Sequence, residues 1–189
     1  MLLETIRCID GEAENLSYHQ RRLDYSIKKL GFLSSYNLSS LITPPDKNLY
    51  RCRFVYSDSS YKIEYIPYEI KKISSLKLVA ATELKYELKY SDRAELNSLY
   101  DMRGSCDDVL ITQDGELKDT TIANIALYIN NRWLTPQNPL LQGTTRARLL
   151  DENKIFPAIL TIDDIAKASK VAVFNAMIGF IVVENGIIL

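Results

Sequence analysis

Two side chains of opposite charge stand out in the middle of this 189-residue sequence. Lys89 precedes a run that is typical of a helix, and Asp119 lies on the second arm of a hairpin whose turn is Asp114-Gly115. An Asp-Gly pair favours a type I′ turn, because both central residues of that turn need a positive φ. We therefore expect Lys89 and Asp119 to share one rigid frame of sheet and helix, as a reactive amine and a fixed counter-charge.

Two further features can bind an anion such as a phosphate. Gly143-Thr144-Thr145 opens a predicted helix, where unpaired backbone amides and the helix dipole favour negative charge. Arg22 borders the apolar stripe of an earlier predicted helix, and its planar guanidinium can bind an anion. Each feature also has a simpler interpretation. The threonines can be an ordinary helix cap, and Arg22 can be a solvated arginine beside Arg21.

The elements that position these residues are predicted from the periodicity of apolar residues. Strands are expected over residues 2–8, 49–56, 61–66 and 76–80. Ser17 and Gln20 have the spacing of a capping box, and Ser91 is expected to cap the helix after Lys89. Arg51 and Arg53 are two positions apart, so they share one face of a strand. Residues 81–88 are expected to connect a small lobe, 1–80, to a larger one, 81–189.

Composition argues against several classes of function. The formal net charge of -1 is unlike that of a general nucleic-acid binder. No apolar run approaches the roughly 20 residues of a membrane span, and charge appears too early for a secretory signal. Three cysteines without paired spacing and a single histidine, His19, argue against a metal site. A reducing cytoplasm suits this composition best.

A lysine, a carboxylate, a phosphate cup at a helix start and an arginine are together the parts of a site for pyridoxal 5′-phosphate (PLP). The lysine amine forms a Schiff base with the aldehyde of PLP. A carboxylate beside the ring nitrogen keeps it protonated, so that the ring accepts electrons. Taken singly, however, Lys89 is one lysine among many, and Asp119 can be an ordinary charge at the end of a strand.

Four separated motifs, in order along the chain, resemble those of the class IV aminotransferase family of PLP enzymes. This group includes D-amino-acid and branched-chain aminotransferases and 4-amino-4-deoxychorismate lyase. The motifs are Glu4-Thr5-Ile6-Arg7 with the helix over 16–23, Lys89-Tyr90-Ser91-Asp92-Arg93, Asp107-Asp108-Val109-Leu110 with Gly115, Asp119 and Asn124, and Leu140-Leu141-Gln142-Gly143-Thr144-Thr145-Arg146. The resemblance implies an α+β fold of two lobes, the D-amino-acid-aminotransferase-like architecture (fold type IV), with PLP in the cleft. It also implies a homodimer.

The resemblance further implies roles for individual residues. Lys89 takes the Schiff-base position, and Thr5 falls on the threonine that assists proton transfer in the lyase. The residues expected to bind the cofactor are Arg22, Lys89, Asp119, Asn124, Gly143, Thr144, Thr145, Asn175 and Ala176. Phe174-Asn175-Ala176-Met177 resembles the lyase's loop over the cofactor more than the aminotransferase form. The expected reaction is therefore conversion of 4-amino-4-deoxychorismate to 4-aminobenzoate and pyruvate, for folate biosynthesis.

Three departures from the family pattern keep other functions open. Asp119 replaces the family's glutamate, and the family's glycine-rich turn and tyrosine ahead of Thr5 are absent, which predicts a fold shortened at the N-terminus. The Arg-Gly pair that traps a substrate carboxylate in D-amino-acid aminotransferases is also missing, so Arg7, Arg51 and Arg53 are substitute candidates. The alternatives are an aminotransferase of D- or branched-chain amino acids, and a PLP-binding homologue without turnover. A plain α+β interaction domain is a third interpretation.

Overall fold

The structure is a computed structural model that describes residues 1–188, and these residues form two compact units. The first unit contains residues 1–70 and 88–92, and the second contains residues 71–87 and the described residues from Arg93 onward. This division differs from the expected boundary after residue 80 for two reasons. The strand Leu76–Ala80 pairs within the second unit, and Tyr90 bridges Leu2 in the first. Leu189, the last residue of the predicted larger lobe, lies outside the described residues.

The first unit is a four-stranded sheet with two helices. Its strands are β1 (Leu2–Ile9), β2 (Glu12–Ala13), β3 (Tyr50–Tyr56) and β4 (Tyr61–Pro67), and its helices are α1 (Leu16–Leu30) and α2 (Leu38–Leu41). The strand order is β2-β1-β3-β4, and every neighbouring pair is antiparallel. Alternation of side chains along β1 and β3 gives this sheet a buried face and a second, half-buried face.

The buried face of the first sheet forms a hydrophobic core with α1. Leu2, Ile6 and Cys8 of β1 pack there with Cys52 and Phe54 of β3. The helix adds the buried Leu23, and Gly31 ends it in the left-handed region with a φ of 67°. The core also includes Leu88, and Tyr90 packs against it, so the segment that carries Lys89 is anchored on both sides.

The second unit is built on a nine-stranded sheet. Its strands are β5 (Leu76–Ala80), β6 (Asp108–Gln113), β7 (Glu116–Thr120), β8 (Asn124–Ile129), β9 (Arg132–Pro136), β10 (Phe156–Ala158), β11 (Lys170–Asn175), β12 (Gly179–Val182) and β13 (Ile187–Ile188). The main path runs β10-β9-β8-β7-β6-β5-β13, and β11 pairs with β8 and β12. The helices are α3 (Ala94–Asp101), α4 (Thr144–Asp151) and α5 (Ile162–Ile165).

The predicted hairpin turn at Asp114-Gly115 is confirmed, whereas two predicted helix caps are wrong. Asp114 and Gly115 have φ values of 54° and 77°, as a type I′ turn requires. Helix α1 instead begins after a left-handed Asn15, because Gln20 is used elsewhere: its side chain donates to the Tyr36 carbonyl and accepts from the Leu38 amide. Ser91 donates to the Met1 carbonyl rather than capping α3, which begins at Ala94.

Neither a membrane crossing nor a metal centre is visible in the part of the chain that the structure describes. None of the helices over residues 1–188 combines the length and apolar character that a membrane crossing requires. Over the same residues, no three His, Cys, Asp or Glu side chains are grouped so as to hold a metal ion.

Candidate cofactor and substrate site

A buried cluster of three charged or polar side chains lies between β1 and α1. Glu4 is on the buried face of β1, between Leu2 and Ile6, and only 1% of it is exposed. Arg22 donates to Glu4 through Nε at 2.8 Å and Nη2 at 2.6 Å, and His19 Nδ1 lies 2.7 Å from Glu4 Oε2. Because these two Arg22 nitrogens are engaged by Glu4, the predicted phosphate contact of Arg22 stays a prediction.

Burial and neighbouring charges shift the pKa values of Glu4 and His19 in this cluster. Although burial raises the pKa of Glu4, Arg22 and His19 together lower it to about 2. Burial also lowers the pKa of His19, and the charges of Arg22 and Lys89 add to that effect against the Glu4 hydrogen bond. Neutral His19 must then donate from Nδ1 to the ionised Glu4. Its Nε2 is buried and has no hydrogen-bond partner within residues 1–188.

Lys89 belongs to the same unit as this cluster. The Leu3 amide donates to the Lys89 carbonyl at 2.9 Å, and Leu2 and Tyr90 form an antiparallel bridge. Lys89 itself is half-buried, and its charge acts on His19. Pairing with β1 places residues 88–92 in the first unit, whereas Asp119 belongs to the second, so the expectation that Lys89 and Asp119 share one frame stays a prediction.

The half-buried face of the first sheet carries Thr5 and three arginines. In the register of β1 and β3, Thr5 pairs with Arg53 and Arg7 pairs with Arg51. Since residues two apart share a face, all four side chains lie on the same side of the sheet. This places the predicted proton-transfer residue and the three predicted substrate-binding cations together within the first unit.

The second unit carries a buried carboxylate that is held by neutral groups. Asp119 is 4% exposed and pairs with Asn124 across the short turn between β7 and β8. Asn124 Nδ2 donates to Asp119 Oδ1 at 2.8 Å, and the Leu141 amide donates to Asp119 Oδ2 at 2.9 Å. Asn124 Nδ2 also donates to the Leu141 carbonyl, so Asn124 positions Asp119 and ties it to the loop ahead of α4.

Burial dominates the electrostatics of Asp119. It raises the pKa of this carboxyl to about 6, against hydrogen bonds from Leu141 and Asn124 and the charge of Arg146. The Arg146 guanidinium donates to the Gln142 side chain and to the Pro136 carbonyl, so its charge acts on Asp119 without a direct hydrogen bond. Asp119 is thus an acceptor that a cationic partner would stabilise.

The start of α4 gives an open helix N-terminus beside this network. Gly143 occupies the N-cap position and supplies no capping side chain for the first-turn amides of Thr144 and Thr145. A Cβ added to Gly143 would lie 1.9 Å from Asn124 Oδ1, so only glycine fits at this close approach. Asp119, Asn124 and the predicted phosphate cup are therefore brought together within the second unit.

Asn175 and Ala176, also predicted to bind the cofactor, lie in the loop between β11 and β12. The Asn175 side chain accepts from the amides of Met177 and Ile178 and donates to the Ile122 carbonyl. These bonds make Asn175 a turn-forming residue that shapes the loop, which was its simpler interpretation. Contact of either residue with a cofactor stays a prediction.

The sequence reasoning did not identify Glu4, His19 and the Leu141 amide as parts of these clusters. Glu4 carried a usable signal, because it is a charged residue at an inward position of an alternating apolar strand, and buried carboxylates are normally paired. His19, three positions before Arg22, carried a weaker one, because the two lie on one helical face. No side-chain pattern points to a backbone amide such as that of Leu141.

Comparison with known proteins shows the family to which this chain belongs. A sequence model described as amino-transferase class IV matches residues 60–185. An uncharacterised protein of Haemophilus influenzae is 35% identical over 184 residues, which cover 94% of this chain and 98% of that protein.

Two solved structures show how far the likeness extends. A Haemophilus somnus crystal structure, provisionally named a 4-amino-4-deoxychorismate lyase, has a TM-score of 0.89 and 35% identity, and the match covers 94% of this chain and 96% of that one. A hypothetical aminotransferase from Mycobacterium tuberculosis in its PLP-bound form has a TM-score of 0.80, with 99% of this chain and 82% of that one covered; at 16% identity it shows the fold alone. The predicted α+β, fold-type-IV class is confirmed by these neighbours. The chain belongs to the amino-transferase class IV family, and as a member of that family it is a PLP-dependent enzyme.

Proposed function

We propose that this protein is a PLP-dependent aminodeoxychorismate lyase, which converts 4-amino-4-deoxychorismate to 4-aminobenzoate and pyruvate in folate biosynthesis. The observation that carries the cofactor assignment is Asp119, a buried carboxylate held by two neutral donors and left with a raised pKa of about 6. The choice of the lyase is supported by the similarity over nearly the whole chain to a structure provisionally given that name.

The residues of the second unit fit PLP. A carboxylate that burial destabilises suits a protonated ring nitrogen, because a cationic donor would offset the cost of desolvation. The uncapped first turn of α4 suits a phosphate, whose charge the free amides and the helix dipole stabilise. When bound, PLP would supply an aldehyde that captures amines and a ring that accepts electrons from a carbanion.

Each protein group has a distinct task in the proposed reaction. Lys89 Nζ would hold PLP through its aldehyde and would accept a ring proton from the substrate. Asp119, oriented by Asn124, would keep the ring nitrogen protonated. The Thr5 hydroxyl would relay a proton as pyruvate leaves. The aromaticity of the product favours the reaction.

A spectrum recorded with added PLP tests the cofactor assignment. After unbound PLP is removed, wild-type protein should keep an absorption band shifted from that of unbound PLP, and Lys89→Ala should lose it, because the shifted band requires a Schiff base with this amine. Lys85→Ala, which removes an exposed lysine of the connector, should retain it. A wild-type spectrum that does not depend on Lys89 would remove the enzyme interpretation altogether.

An aminotransferase of D- or branched-chain amino acids is the second candidate, since the family whose model matches this chain is named for aminotransfer. An aminotransferase converts the cofactor to its amine form when an amino donor is added, whereas the lyase releases 4-aminobenzoate and pyruvate from aminodeoxychorismate. A protein that binds PLP through Lys89 and does neither would be a homologue without turnover.

We propose that the enzyme acts as a homodimer, as the family resemblance implies, and that it works in the cytoplasm, which suits its cysteine content. Light scattering on the purified protein tests the dimer, because a monomeric mass at working concentration would contradict it.

A further inference from the structure

Arg146 is a buried cation that has no role in the proposed reaction. It is 5% exposed, and its guanidinium donates from Nη1 to the Gln142 side chain and from Nη2 to the Pro136 carbonyl, both at 2.8 Å. Both acceptors are neutral, and Nε is buried without a hydrogen-bond partner among residues 1–188. A buried charge without an opposite charge beside it costs free energy, so ordinary packing does not explain an arginine here.

The two hydrogen bonds of Arg146 fix the loop that leads into α4. Pro136 ends β9 and Gln142 immediately precedes the N-cap of α4, so one guanidinium joins both ends of residues 136–142. The same loop supplies the Leu141 amide that donates to Asp119 Oδ2 at 2.9 Å. Arg146 therefore holds a stretch of backbone that serves Asp119 at one point and the start of α4 at another.

Arg146 and Asp119 are opposite charges that the second unit keeps apart. Each is buried and held by neutral groups, and the charge of each shifts the pKa of the other without a direct hydrogen bond. Arg146 stands in the first turn of α4, three positions after Gly143, where the helix dipole already favours an anion. PLP with a protonated ring nitrogen has the complementary pattern, with a cation at the ring and an anion at the phosphate.

We infer that Arg146 is a positioning residue for the phosphate of PLP: it fixes the loop ahead of α4 and adds a buried positive charge to the phosphate cup at Gly143-Thr144-Thr145. This inference rests on the proposed function, because it assigns that cup to the cofactor. Arg146 acts without touching the phosphate, since its guanidinium is engaged by Gln142 and Pro136. A buried charge is poorly screened by solvent and salt, so it still attracts an anion several ångströms away.

Calorimetric binding of pyridoxamine 5′-phosphate and of pyridoxamine to the full chain tests the inference. The two ligands differ only in the phosphate, and neither has an aldehyde that could link it to Lys89. Wild type should bind the phosphorylated ligand more tightly, and Arg146→Met should lower that preference by roughly tenfold, because it removes a unit charge several ångströms from the anion. Arg146→Lys, which keeps the charge without the planar fork, should stay within about threefold of the wild-type preference.

The matched control is Arg148→Met, which removes a second arginine of α4, one paired with Glu152, and should leave the phosphate preference unchanged. Two results would overturn the inference. One is a wild-type preference retained in Arg146→Met, and the other is an equal loss of affinity for both ligands, which would make Arg146 a loop anchor alone. If Arg146→Met does not fold, Arg146→Gln takes its place with the same expectation, because it is neutral but keeps a hydrogen-bond donor.

Activity with aminodeoxychorismate separates the failure of this inference from the failure of the proposed function. If wild type binds neither ligand, the cofactor assignment fails and the role of Arg146 fails with it. If the phosphate preference depends on Arg146 but aminodeoxychorismate yields no product, the lyase proposal fails and the role of Arg146 stands. If product forms and the preference does not depend on Arg146, the inference alone fails.

Discussion

Glu4 in the first unit and Asp119 in the second are both buried carboxylates, but different groups surround them. Glu4 accepts two hydrogen bonds from a guanidinium and one from an imidazole, and its pKa falls to about 2 despite burial. Asp119 accepts one from a side-chain amide and one from a backbone amide, and burial raises its pKa to about 6. Equal burial therefore gives opposite shifts, and the charge of the partners decides the sign.

The difference separates a carboxylate that the protein neutralises by itself from one that it holds ready for a ligand. Glu4 is already satisfied by its hydrogen bonds with Arg22 and His19. Asn124 and Leu141 fix the orientation of Asp119. The cation that acts on its pKa, Arg146, makes its own hydrogen bonds with Gln142 and the Pro136 carbonyl. Asp119 is therefore a buried carboxylate with a fixed orientation and, among residues 1–188, no cationic hydrogen-bond donor, and the protonated ring of a cofactor would supply such a donor.

The largest expected effect comes from breaking the pair in the first unit with Glu4→Gln. This change leaves the Arg22 charge without its carboxylate, and removing one partner of a buried ion pair costs about 3–5 kcal/mol. Urea unfolding at pH 7 measures the loss. Glu12→Gln, at an exposed position of β2, is the control, and it should change the unfolding free energy by less than about 0.5 kcal/mol. A Glu4→Gln loss no larger than the control's would mean that the ion pair does not stabilise the unit.

The second prediction uses pH to isolate Asp119. Between about pH 4 and 6 the folded state keeps a proton on Asp119 that the unfolded chain releases, so this group makes the unfolding free energy fall as pH rises through that window. The fall is at most roughly 3 kcal/mol, since one pKa unit corresponds to about 1.4 kcal/mol. Glu4 acts in the opposite sense and lower down: its stabilisation is complete above its ordinary pKa of 4.5 and is lost as pH falls towards 2.

The unfolding free energy of Asp119→Asn is measured over the same pH range and subtracted from that of the wild type. This subtraction removes the contributions of other groups that titrate in the same range. Asp108 is one such group, because burial raises its pKa as well. The difference between wild type and Asp119→Asn should therefore decline from pH 4 to pH 6. A difference that rises over this window would show that Asp119 is stabilised by a charge in the absence of any cofactor.

Local signals in the sequence were sufficient for much of the fold. Asp114-Gly115 and Asn130-Asn131 take the positive φ values that hairpin turns need, and Thr161 with Asp164 forms the capping box that opens α5. These features depend on neighbouring residues alone. The failed caps at Ser17 and Ser91 have a different cause, because distant groups, the Leu38 amide and the Met1 carbonyl, compete for the side chains of Gln20 and Ser91.

The sequence predicted the individual residues of the candidate site, but it did not predict the strand pairing and hydrogen bonds that hold them. The motifs selected Lys89, Asp119 and Gly143, yet spacing could not reveal that the segment carrying Lys89 pairs with the start of β1 and belongs to the first unit. Long-range strand pairing decides that assignment, and it leaves no local pattern. The same limit hid the role of Asn124, whose amide reaches the Leu141 carbonyl 17 positions away.

The smallest expected effect tests how rigidly the second unit holds its carboxylate. Gly143→Ala would place a Cβ 1.9 Å from Asn124 Oδ1. Asn124 cannot turn aside without losing its bonds to Asp119 and Leu141, so the change should cost about 1–3 kcal/mol, as overpacking typically does. A double-mutant cycle with Asn124→Ala identifies the source, because the cost of Gly143→Ala should fall by at least half when the amide is absent. An unchanged cost would mean that Asn124 yields freely, and Asp119 would then be no more firmly oriented than a surface carboxylate.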